Sequence, residues 1–365
     1  MNSLYVFISL MFVFSCSKSI IQNPNSPKHF LESPIVKVWG LPSVTGNNPA
    51  RSCGIYNDTI YIMSNESKHY RVTFYTFDGK EIRFVDIPKG KGPGEVVFNY
   101  IFKIRNEKMY FYDSTLKKIA IFDLYGKSID DILITEDLGY VQGLEYEKNC
   151  IYVHDALKSK IITMDMTGKV VRRIPYENGE ITREEFFEKP IRFGRILFDD
   201  VRSELWIGYM NLPYTLERYD RNMRKTMTIT KKISGSYHEA KWMKMNGRIA
   251  LVGNMMVDTM VAHDGYIYLP FGIGYYYSDK GIETYHCENT IYVFNAQTGK
   301  FDYTIWNKNL KNSGYGYMLL GVTDDYVVLM TVYDYEVANK FASKDELERM
   351  QGWIFVLKNS IGNKK

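Results

Sequence analysis

Residues 109–127, MYFYDSTLKKIAIFDLYGK, decide the fold of this chain. Two runs of β-forming residues flank the polar turn Asp113-Ser114-Thr115, and a second turn follows the second run. Two such runs joined by a polar turn predict a β-hairpin. The pattern returns at residues 151–169, IYVHDALKSKIITMDMTGK, almost position for position. The chain therefore contains an internal repeat built from short strands.

The last part of this repeat, a strand followed by a turn, occurs six times. The copies are residues 71–80, 118–127, 160–169, 214–224, 289–300 and 352–359. A hairpin with a polar tip precedes each copy, and another β run follows every copy except the last. Each repeat therefore predicts a four-stranded antiparallel sheet. Six such sheets, at a spacing near the roughly 40–50 residues of a propeller blade, predict an all-β, six-bladed β-propeller.

The first strand-like run after the N-terminal region, residues 34–42 (PIVKVWGLP), belongs to no repeat but matches the fourth run of one. We expect this N-terminal strand to complete the last blade and close the ring, which removes an exposed sheet edge. Insertions interrupt the repeats at 231–256, 272–288 and 334–351. Within the last of these, Ser343 and Glu346 form a capping box that predicts a short helix, and a second helix is predicted at 182–189.

The N-terminal region differs from the rest of the chain. Residues 4–14 are an apolar run too short to span a membrane, and Ser15-Cys16 follows it. Residues 13–16 resemble the bacterial lipoprotein signal, in which the cysteine is lipidated and becomes the mature N-terminus. The expected organisation is a signal peptide at 1–16 with lipidation at Cys16, a flexible tether at 17–33, a propeller at 34–358 and a disordered tail at 359–365.

Composition and charge exclude some function classes. The net charge is +4 over 365 residues, and no basic stripe with interleaved aromatics is present, so we expect no binding to nucleic acid. Tyrosine is abundant, with 30 residues, which suits strands that have one solvated end. Apart from Cys16, the cysteines Cys53, Cys150 and Cys287 have no metal-ligand spacing, and we expect three free thiols.

Two motifs resemble known propellers. The DSTLKKIAIFDLYGK stretch, residues 113–127, resembles the repeat of NHL-type propellers. The KGKGPGE run, residues 89–95, resembles the G-x-GPGE signature of six-bladed propeller lipoproteins in Bacteroidetes-type bacteria, a TolB-like group mostly without assigned function. The resemblance implies the propeller fold and an exported, lipid-anchored protein. It transfers no catalytic residue to this chain.

Candidate chemical motifs have structural interpretations. The glycines of the KGKGPGE run lead into another β run rather than a helix, so a turn between blades is favoured over a phosphate loop. Asp155 aligns with Asp113 and is expected to brace its turn through backbone N–H groups. The adjacent residues His286, Cys287 and Glu288 would alternate across a strand, which disfavours a metal site. We expect no metal, no cofactor and no catalytic residue.

The turn after the third strand carries a glycine before a lysine in four repeats. Gly79, Gly126, Gly168 and Gly299 occupy this place, and Asn222 is predicted to replace them in the fourth repeat. Glycine and asparagine tolerate positive φ better than other residues, so the pattern predicts a shared left-handed backbone.

The candidate ligand site lies at one mouth of the channel. In a propeller, the connections between blades and the loops between second and third strands share one face, and all the insertions map to it. Long loops concentrated on one side of a scaffold favour binding there. The predicted ligand-binding residues are Arg51, Tyr100, Tyr140, Gln142, Arg192, Trp306 and Tyr315. The alternative is that these tyrosines and arginines only fill the channel.

The favoured hypothesis is a non-catalytic binding or scaffold module for a protein, peptide or glycan. It would be a monomer in the bacterial cell envelope, periplasmic or at the outer-membrane surface, touching the membrane only through its lipid. The alternative is a propeller-type hydrolase or lyase with a site at the channel mouth. An enzyme should bring His, Asp or Glu side chains together there, whereas a binding module should present aromatics and scattered charge.

Overall fold

The structure is a computed structural model that describes the following parts of the chain: residues 18–22, 29–41, 52–188, 194–209, 214–231, 241–245, 248–255, 259–271, 273–278, 281–284, 290–311, 317–331, 338–350 and 352–361. Strands dominate, and within these ranges no helix is long and apolar enough to cross a bilayer.

Six antiparallel four-stranded sheets form the blades of a six-bladed β-propeller. Three strands precede the first complete blade: β1 (Lys18–Gln22), β2 (His29–Glu32) and β3 (Ile35–Leu41). From first to fourth strand, blade 1 contains β4 (Cys53–Tyr56), β5 (Thr59–Asn65), β6 (His69–Tyr75) and β7 (Glu81–Pro88); blade 2 contains β8 (Asn99–Arg105), β9 (Lys108–Asp113), β10 (Lys118–Asp123) and β11 (Ser128–Leu133); blade 3 contains β12 (Val141–Glu147), β13 (Cys150–Asp155), β14 (Ser159–Asp165) and β15 (Val170–Pro175).

The second half of the ring follows the same order. Blade 4 contains β16 (Gly194–Asp199), β17 (Glu204–Tyr209), β18 (Tyr214–Tyr219) and β19 (Lys225–Lys231); blade 5 contains β22 (Val261–His263), β23 (Tyr266–Phe271), β26 (Thr290–Asn295) and β27 (Phe301–Trp306); blade 6 contains β28 (Met318–Val322), β29 (Tyr326–Thr331), β30 (Gly352–Lys358) and, from the N-terminal region, β3. In the described ranges, three short helices lie in connections: α1 (Arg183–Glu188), α2 (Lys308–Lys311) and α3 (Lys344–Arg349). The predicted helices at 182–189 and after Ser343 are confirmed, the latter with its capping box.

The predicted ring closure is confirmed. Strand β3 pairs antiparallel with β30, from Ile35 opposite Leu357 to Leu41 opposite Gly352. Its Trp39 and Leu41 are buried in the core shared with blade 1, whereas Val36 is exposed. The last blade thus takes its fourth strand from the start of the propeller, and β3 covers the edge of β30.

Two faces of the ring follow from the strand directions. Turns between first and second strands and between third and fourth strands lie at one end of every blade, which we call the hairpin face. Loops between second and third strands and connections between blades lie at the other end, which we call the insertion face. On the insertion face, the insertions at 231–256 and 272–288 pair with each other. They form one further sheet, of β20 (Lys241–Met245), β21 (Arg248–Met255), β24 (Ile273–Ser278) and β25 (Gly281–Thr284).

The repeated turn glycines have two roles. Gly79, Gly126, Gly168 and Gly299 all have positive φ, as predicted. Three of them also press against the fourth strand of the preceding blade: a Cβ would lie 2.6 Å from Trp39 at Gly79, 2.5 Å from Val85 at Gly126 and 2.1 Å from the Leu133 carbonyl at Gly168. Glycine therefore permits both the turn and the close approach of neighbouring blades.

In the fourth blade the prediction was wrong by one residue. Met223, not Asn222, has the positive φ of 55°. The Met223 N–H bonds the Asp220 carbonyl as the Gly126 N–H bonds that of Asp123, so the turn is counted from the aspartate. Position 223 is also directly before the basic residue Arg224, as Gly126 is directly before Lys127, so Asn222 lies one residue before the equivalent position.

Both ends of the chain are more ordered than expected. The tether predicted at 17–33 contains β1, which pairs in parallel with β19, and β2, which pairs in parallel with β27. The tail predicted from residue 359 begins with buried Asn359 and Ile361, and the Asn359 N–H bonds the Asp325 carbonyl at 2.7 Å. Cys16 lies outside the described residues.

A buried carboxylate joins blades 3 and 4. The Glu217 carboxylate lies 3.0 Å from Lys160 Nζ and 3.3 Å from Lys225 Nζ, and it accepts hydrogen bonds from Tyr219 (2.7 Å) and Tyr209 (2.9 Å). Burial alone would raise the pKa of Glu217, but Lys160, Tyr219 and Lys225 outweigh burial and lower that pKa. Glu217 is therefore held as a charged contact between two blades.

Candidate functional site

A cavity of about 270 Å³ opens on the insertion face between blades 2 and 3. It is lined by Phe98, Tyr112, Ser114, Gly139, Tyr140, Val141, Leu157 and Arg183. Blade 2 supplies one wall and blade 3 the other, while Arg183 comes from the first turn of α1. The cavity is therefore built from connections and second-to-third-strand loops, which are the segments predicted to carry a site.

Asp113 fixes the wall from blade 2. Its side chain is fully buried, and Oδ1 accepts hydrogen bonds from the backbone N–H groups of Thr115 and Leu116, both at 2.9 Å. Oδ2 accepts from Val97 at 2.6 Å and from Phe98 at 3.2 Å. One carboxylate thus ties the turn after the second strand to the connection that enters the blade.

Asp155 repeats this arrangement in blade 3. It is also fully buried, and Oδ1 accepts from Tyr140 (2.9 Å), Leu157 (3.0 Å) and Lys158 (3.3 Å). Oδ2 accepts from the Gly139 N–H at 2.6 Å. The predicted bracing of the turn is confirmed, but the structure adds a second function, because each aspartate also anchors the loop from the preceding blade. Both walls of the cavity are therefore rigid.

Helix α1 completes the rim. Thr182 and Glu185 form a capping box, with Glu185 accepting from the Thr182 N–H at 2.7 Å and Thr182 Oγ1 accepting from the Glu185 N–H at 3.1 Å. Phe186 is fully buried, and its ring lies 5.3 Å from that of Tyr140. This contact positions Arg183 over the cavity. Aromatic rings can stack on a flat ring or a sugar ring, and a guanidinium beside them can bind a carboxylate or a carbonyl.

Of the predicted ligand-binding residues that the structure describes, only Tyr140 lines this cavity. Gln142, two residues on, is buried at the start of the innermost strand of blade 3. Trp306 ends the fourth strand of blade 5, beside β2, and its carbonyl accepts from the Ser33 N–H at 2.8 Å. Tyr100 lies in β8, and its side chain is outside the described set.

The remaining predicted residues, Arg51, Arg192 and Tyr315, lie outside the described residues. Within the part of the chain that the structure describes, the predicted group is thus not brought together around one mouth. Of the three whose side chains are described, Tyr140 lies at the cavity, Gln142 lies in the channel wall and Trp306 lies at the outer side of blade 5.

A second cavity, of about 330 Å³, occupies the channel towards the hairpin face, and the first strands of all six blades line it. Glu145 is almost fully buried there and lies 2.9 Å from Lys103 Nζ and 3.9 Å from Arg105 Nη1. Arg105 also contacts Asp200, and His263 Nε2 lies 3.1 Å from Asp324 Oδ1. Charged side chains therefore converge on the channel at the end opposite to the predicted one.

Most acids and bases of the channel contact one another. Asp199 is buried and lies 3.3 Å from Arg202 Nη1. Burial raises the pKa of the Cys53 thiol to about 12 and also raises the pKa of the Tyr61 hydroxyl, so both are protonated at neutral pH. Among the described residues, no three His, Cys, Asp or Glu side chains are arranged to hold a metal ion. Cys53 and Cys150 are free thiols, as predicted, and Cys287 is outside the described residues.

The KGKGPGE run is a turn between blades 1 and 2, as predicted. The Glu95 carboxylate accepts from the Gly92 N–H at 2.7 Å, and Asp131 accepts from the Gly94 N–H at 3.2 Å. Lys118, whose side chain is buried, donates to the Gly92 carbonyl at 3.2 Å and pairs with Asp131 at 2.7 Å. These amides are bonded within the protein, unlike those of a phosphate loop.

Comparisons with known proteins place the fold but not the activity. No protein-family model matches the chain, and no curated protein matches it. Among solved structures, a member of the DUF4221 family from Bacteroides vulgatus aligns with a TM-score of 0.55 and 12% identity, covering 90% of this chain and 97% of that one. A candidate exported protein from Bacteroides fragilis aligns with a TM-score of 0.53 and 11% identity, covering 94% and 99%. At these identities the likeness shows the fold alone: this chain is a six-bladed β-propeller similar in architecture to these Bacteroides proteins.

Proposed function

We propose that this protein is a non-catalytic binding module of the bacterial cell envelope that takes a protein, peptide or glycan on its insertion face. The observation that carries the proposal is the cavity between blades 2 and 3, whose aromatic rings lie on two walls held by buried aspartates, with Arg183 of α1 at its rim. A volume of about 270 Å³ suits one side chain or one sugar unit of a longer partner. The further insertions on this face would extend the contact around it.

Filling the cavity tests the binding role. Ser114 is exposed at the cavity, and Ser114→Trp should abolish capture of the partner from native envelope extracts while leaving the melting temperature unchanged. Thr167→Trp is the matched control, because Thr167 is an exposed turn residue of similar size on the hairpin face. Equal capture by both variants would contradict binding at this cavity.

We propose in addition that Cys16 is lipidated. Residues 13–16 resemble a lipoprotein signal, and a structural neighbour is described as a candidate for export. Cys16→Ala should release the protein from the membrane fraction or leave its precursor unprocessed. Unchanged membrane partition and processing would contradict the anchor.

A second candidate function is a hydrolase or lyase acting in the channel. It is favoured by the convergence of Glu145, Asp199 and His263 on the cavity near the hairpin face. If Glu145 is catalytic, Glu145→Gln should abolish turnover. The same variant should still capture a partner that binds on the insertion face. The two candidates therefore differ in which face a substitution must affect.

A further inference from the structure

The N-terminal chain reaches the ring at a defined place. Strand β1 runs parallel to β19, the outer strand of blade 4, with Lys18 opposite Met227 and Gln22 opposite Lys231. Since β19 starts at the hairpin face and runs towards the insertion face, Lys18 lies at the hairpin-face end of β1. Two residues of extended chain span at most about 7 Å, so a lipid on Cys16 would be tethered to blade 4 through the hairpin-face end of β1.

The exposed charges of the hairpin face are divided between its two halves. The turns of blades 3, 4 and 5 carry five exposed basic side chains, Lys148, Lys169, Arg221, Arg224 and Lys300, against two exposed acidic ones, Asp200 and Asp264. The turns of blades 6, 1 and 2 carry the reverse, with five acidic side chains, Asp58, Asp78, Glu107, Asp324 and Asp325, against two basic ones, Lys80 and Lys127.

The basic half of the hairpin face, formed by the turns of blades 3, 4 and 5, is centred on blade 4, with which β1 pairs. In blade 4 the Arg221 side chain is 68% exposed, and Val201, at the tip of the first turn, is 81% exposed. An exposed apolar tip among arginines fits the boundary between headgroups and solvent, where basic residues are attracted to anionic lipid.

We propose that the hairpin face of blades 3 to 5 lies against an anionic lipid surface, which leaves the insertion face and blades 1 and 2 turned away from the membrane. This inference rests on the proposed lipid at Cys16, which would bring blade 4 to the bilayer. A lipid beside the basic half keeps Arg221 and Arg224 near headgroups and keeps the acidic half away from them. It also presents the cavity between blades 2 and 3 to the aqueous side.

Amine footprinting of the lipidated protein tests the orientation with native lysines. The protein is reconstituted in vesicles of phosphatidylcholine containing phosphatidylglycerol, labelled with an amine-reactive reagent and compared with the same protein in detergent. We expect Lys148, Lys169 and Lys300 to label several-fold more slowly on the vesicles, and Lys80 and Lys127 to label equally in both. Equal protection of the two groups, or protection of Lys80 and Lys127 alone, would overturn the proposal.

Matched double variants test the role of charge. Arg221→Glu/Arg224→Glu should remove the protection of Lys148, Lys169 and Lys300, whereas Lys80→Glu/Lys127→Glu, with the same change in net charge on the same face, should retain it. Pure phosphatidylcholine or high salt should act like the first variant, because exposed charges are screened over a Debye length. Retained protection in the first variant would contradict electrostatic docking.

The labelled protein is digested for mass spectrometry, and the mass of its N-terminal peptide distinguishes the proposed lipid at Cys16 from the proposed orientation. A lipidated protein with the wrong lysines protected refutes the orientation alone. A protein without lipid refutes the anchor and the orientation with it.

Discussion

The buried aspartates of blades 2 and 3 allow a graded prediction of stability. Asp113 and Asp155 each accept four backbone hydrogen bonds, but they distribute them differently between their oxygens. Asp113 uses each oxygen for two bonds, whereas Asp155 uses Oδ1 for three and Oδ2 only for Gly139. An asparagine can keep the bonds of one oxygen, because its amide nitrogen is a donor and cannot accept an N–H.

Asp155→Asn should therefore lose one bond and Asp113→Asn two. With about 1.5–3 kcal/mol for a hydrogen bond to a charged group, the free energy of unfolding should fall by about 2 kcal/mol for Asp155→Asn and about 4 kcal/mol for Asp113→Asn. The alanine variants leave four N–H groups without their acceptor and should lose at least as much as Asp113→Asn. Asp325→Asn, at an exposed turn, is the control and should change stability by less than about 0.5 kcal/mol.

Urea unfolding followed by tryptophan fluorescence measures these differences. If the two asparagine variants lose equal stability, or if the alanine variants unfold at the wild-type midpoint, the aspartates do not hold the loops together. The cavity walls would then lack the rigidity on which the binding proposal depends. Ligand capture measured below the unfolding midpoint should follow the same order.

Three other predictions concern the ring itself. Because the pKa of Glu217 is lowered in the folded protein, its stabilising contribution is present above the ordinary carboxyl pKa of 4.5 and is lost as pH falls through the folded-state pKa. Glu217→Gln should therefore destabilise the protein at neutral pH and make its stability fall less steeply in acid. Identical pH profiles of unfolding for the variant and the wild type would contradict this. Deleting residues 35–41 removes the burial of Trp39 and Leu41, which contributes about 3–6 kcal/mol to a typical net stability of about 5–15 kcal/mol. This deletion should therefore cause aggregation, whereas deleting residues 362–365 should not. Equal melting temperatures of the two truncated proteins would contradict closure by β3. Gly126→Asn should lower the melting temperature more than Gly179→Asn, although both glycines have positive φ. The reason is that a Cβ at position 126 would lie 2.5 Å from Val85, whereas a Cβ at position 179 would meet nothing within 4 Å. Equal melting temperatures for the two variants would show that only the turn geometry requires glycine.

The sequence was sufficient for the features that are local and repeated. Strand runs, polar tips and turn glycines recur at fixed offsets, so the blades and the positive φ of Gly126 could be predicted from one copy and checked in the others. The closing strand β3 was predictable because one repeat lacked a fourth run. The bracing of its own turn by Asp155 was predictable for the same reason, since Asp113 occupies the equivalent position.

The features that depend on packing between repeats could not be predicted. Lys103 and Glu145 lie in different blades, and their contact depends on the register of two inner strands and the tilt between them. The pairing of β21 with β24 joins two insertions that share no sequence pattern. The parallel addition of β1 to blade 4 had no signal either, because residues 17–33 have the composition of a tether.

Site-specific photo-crosslinking in the native envelope tests the binding proposal most directly. A benzophenone amino acid replaces either Ser114, at the cavity of the insertion face, or Tyr125, 83% exposed on the hairpin face of blade 2. Binding on the insertion face predicts a covalent adduct from position 114 and none from position 125. An adduct from position 125 alone, or none from position 114 in cells that contain the native partner, would contradict the account.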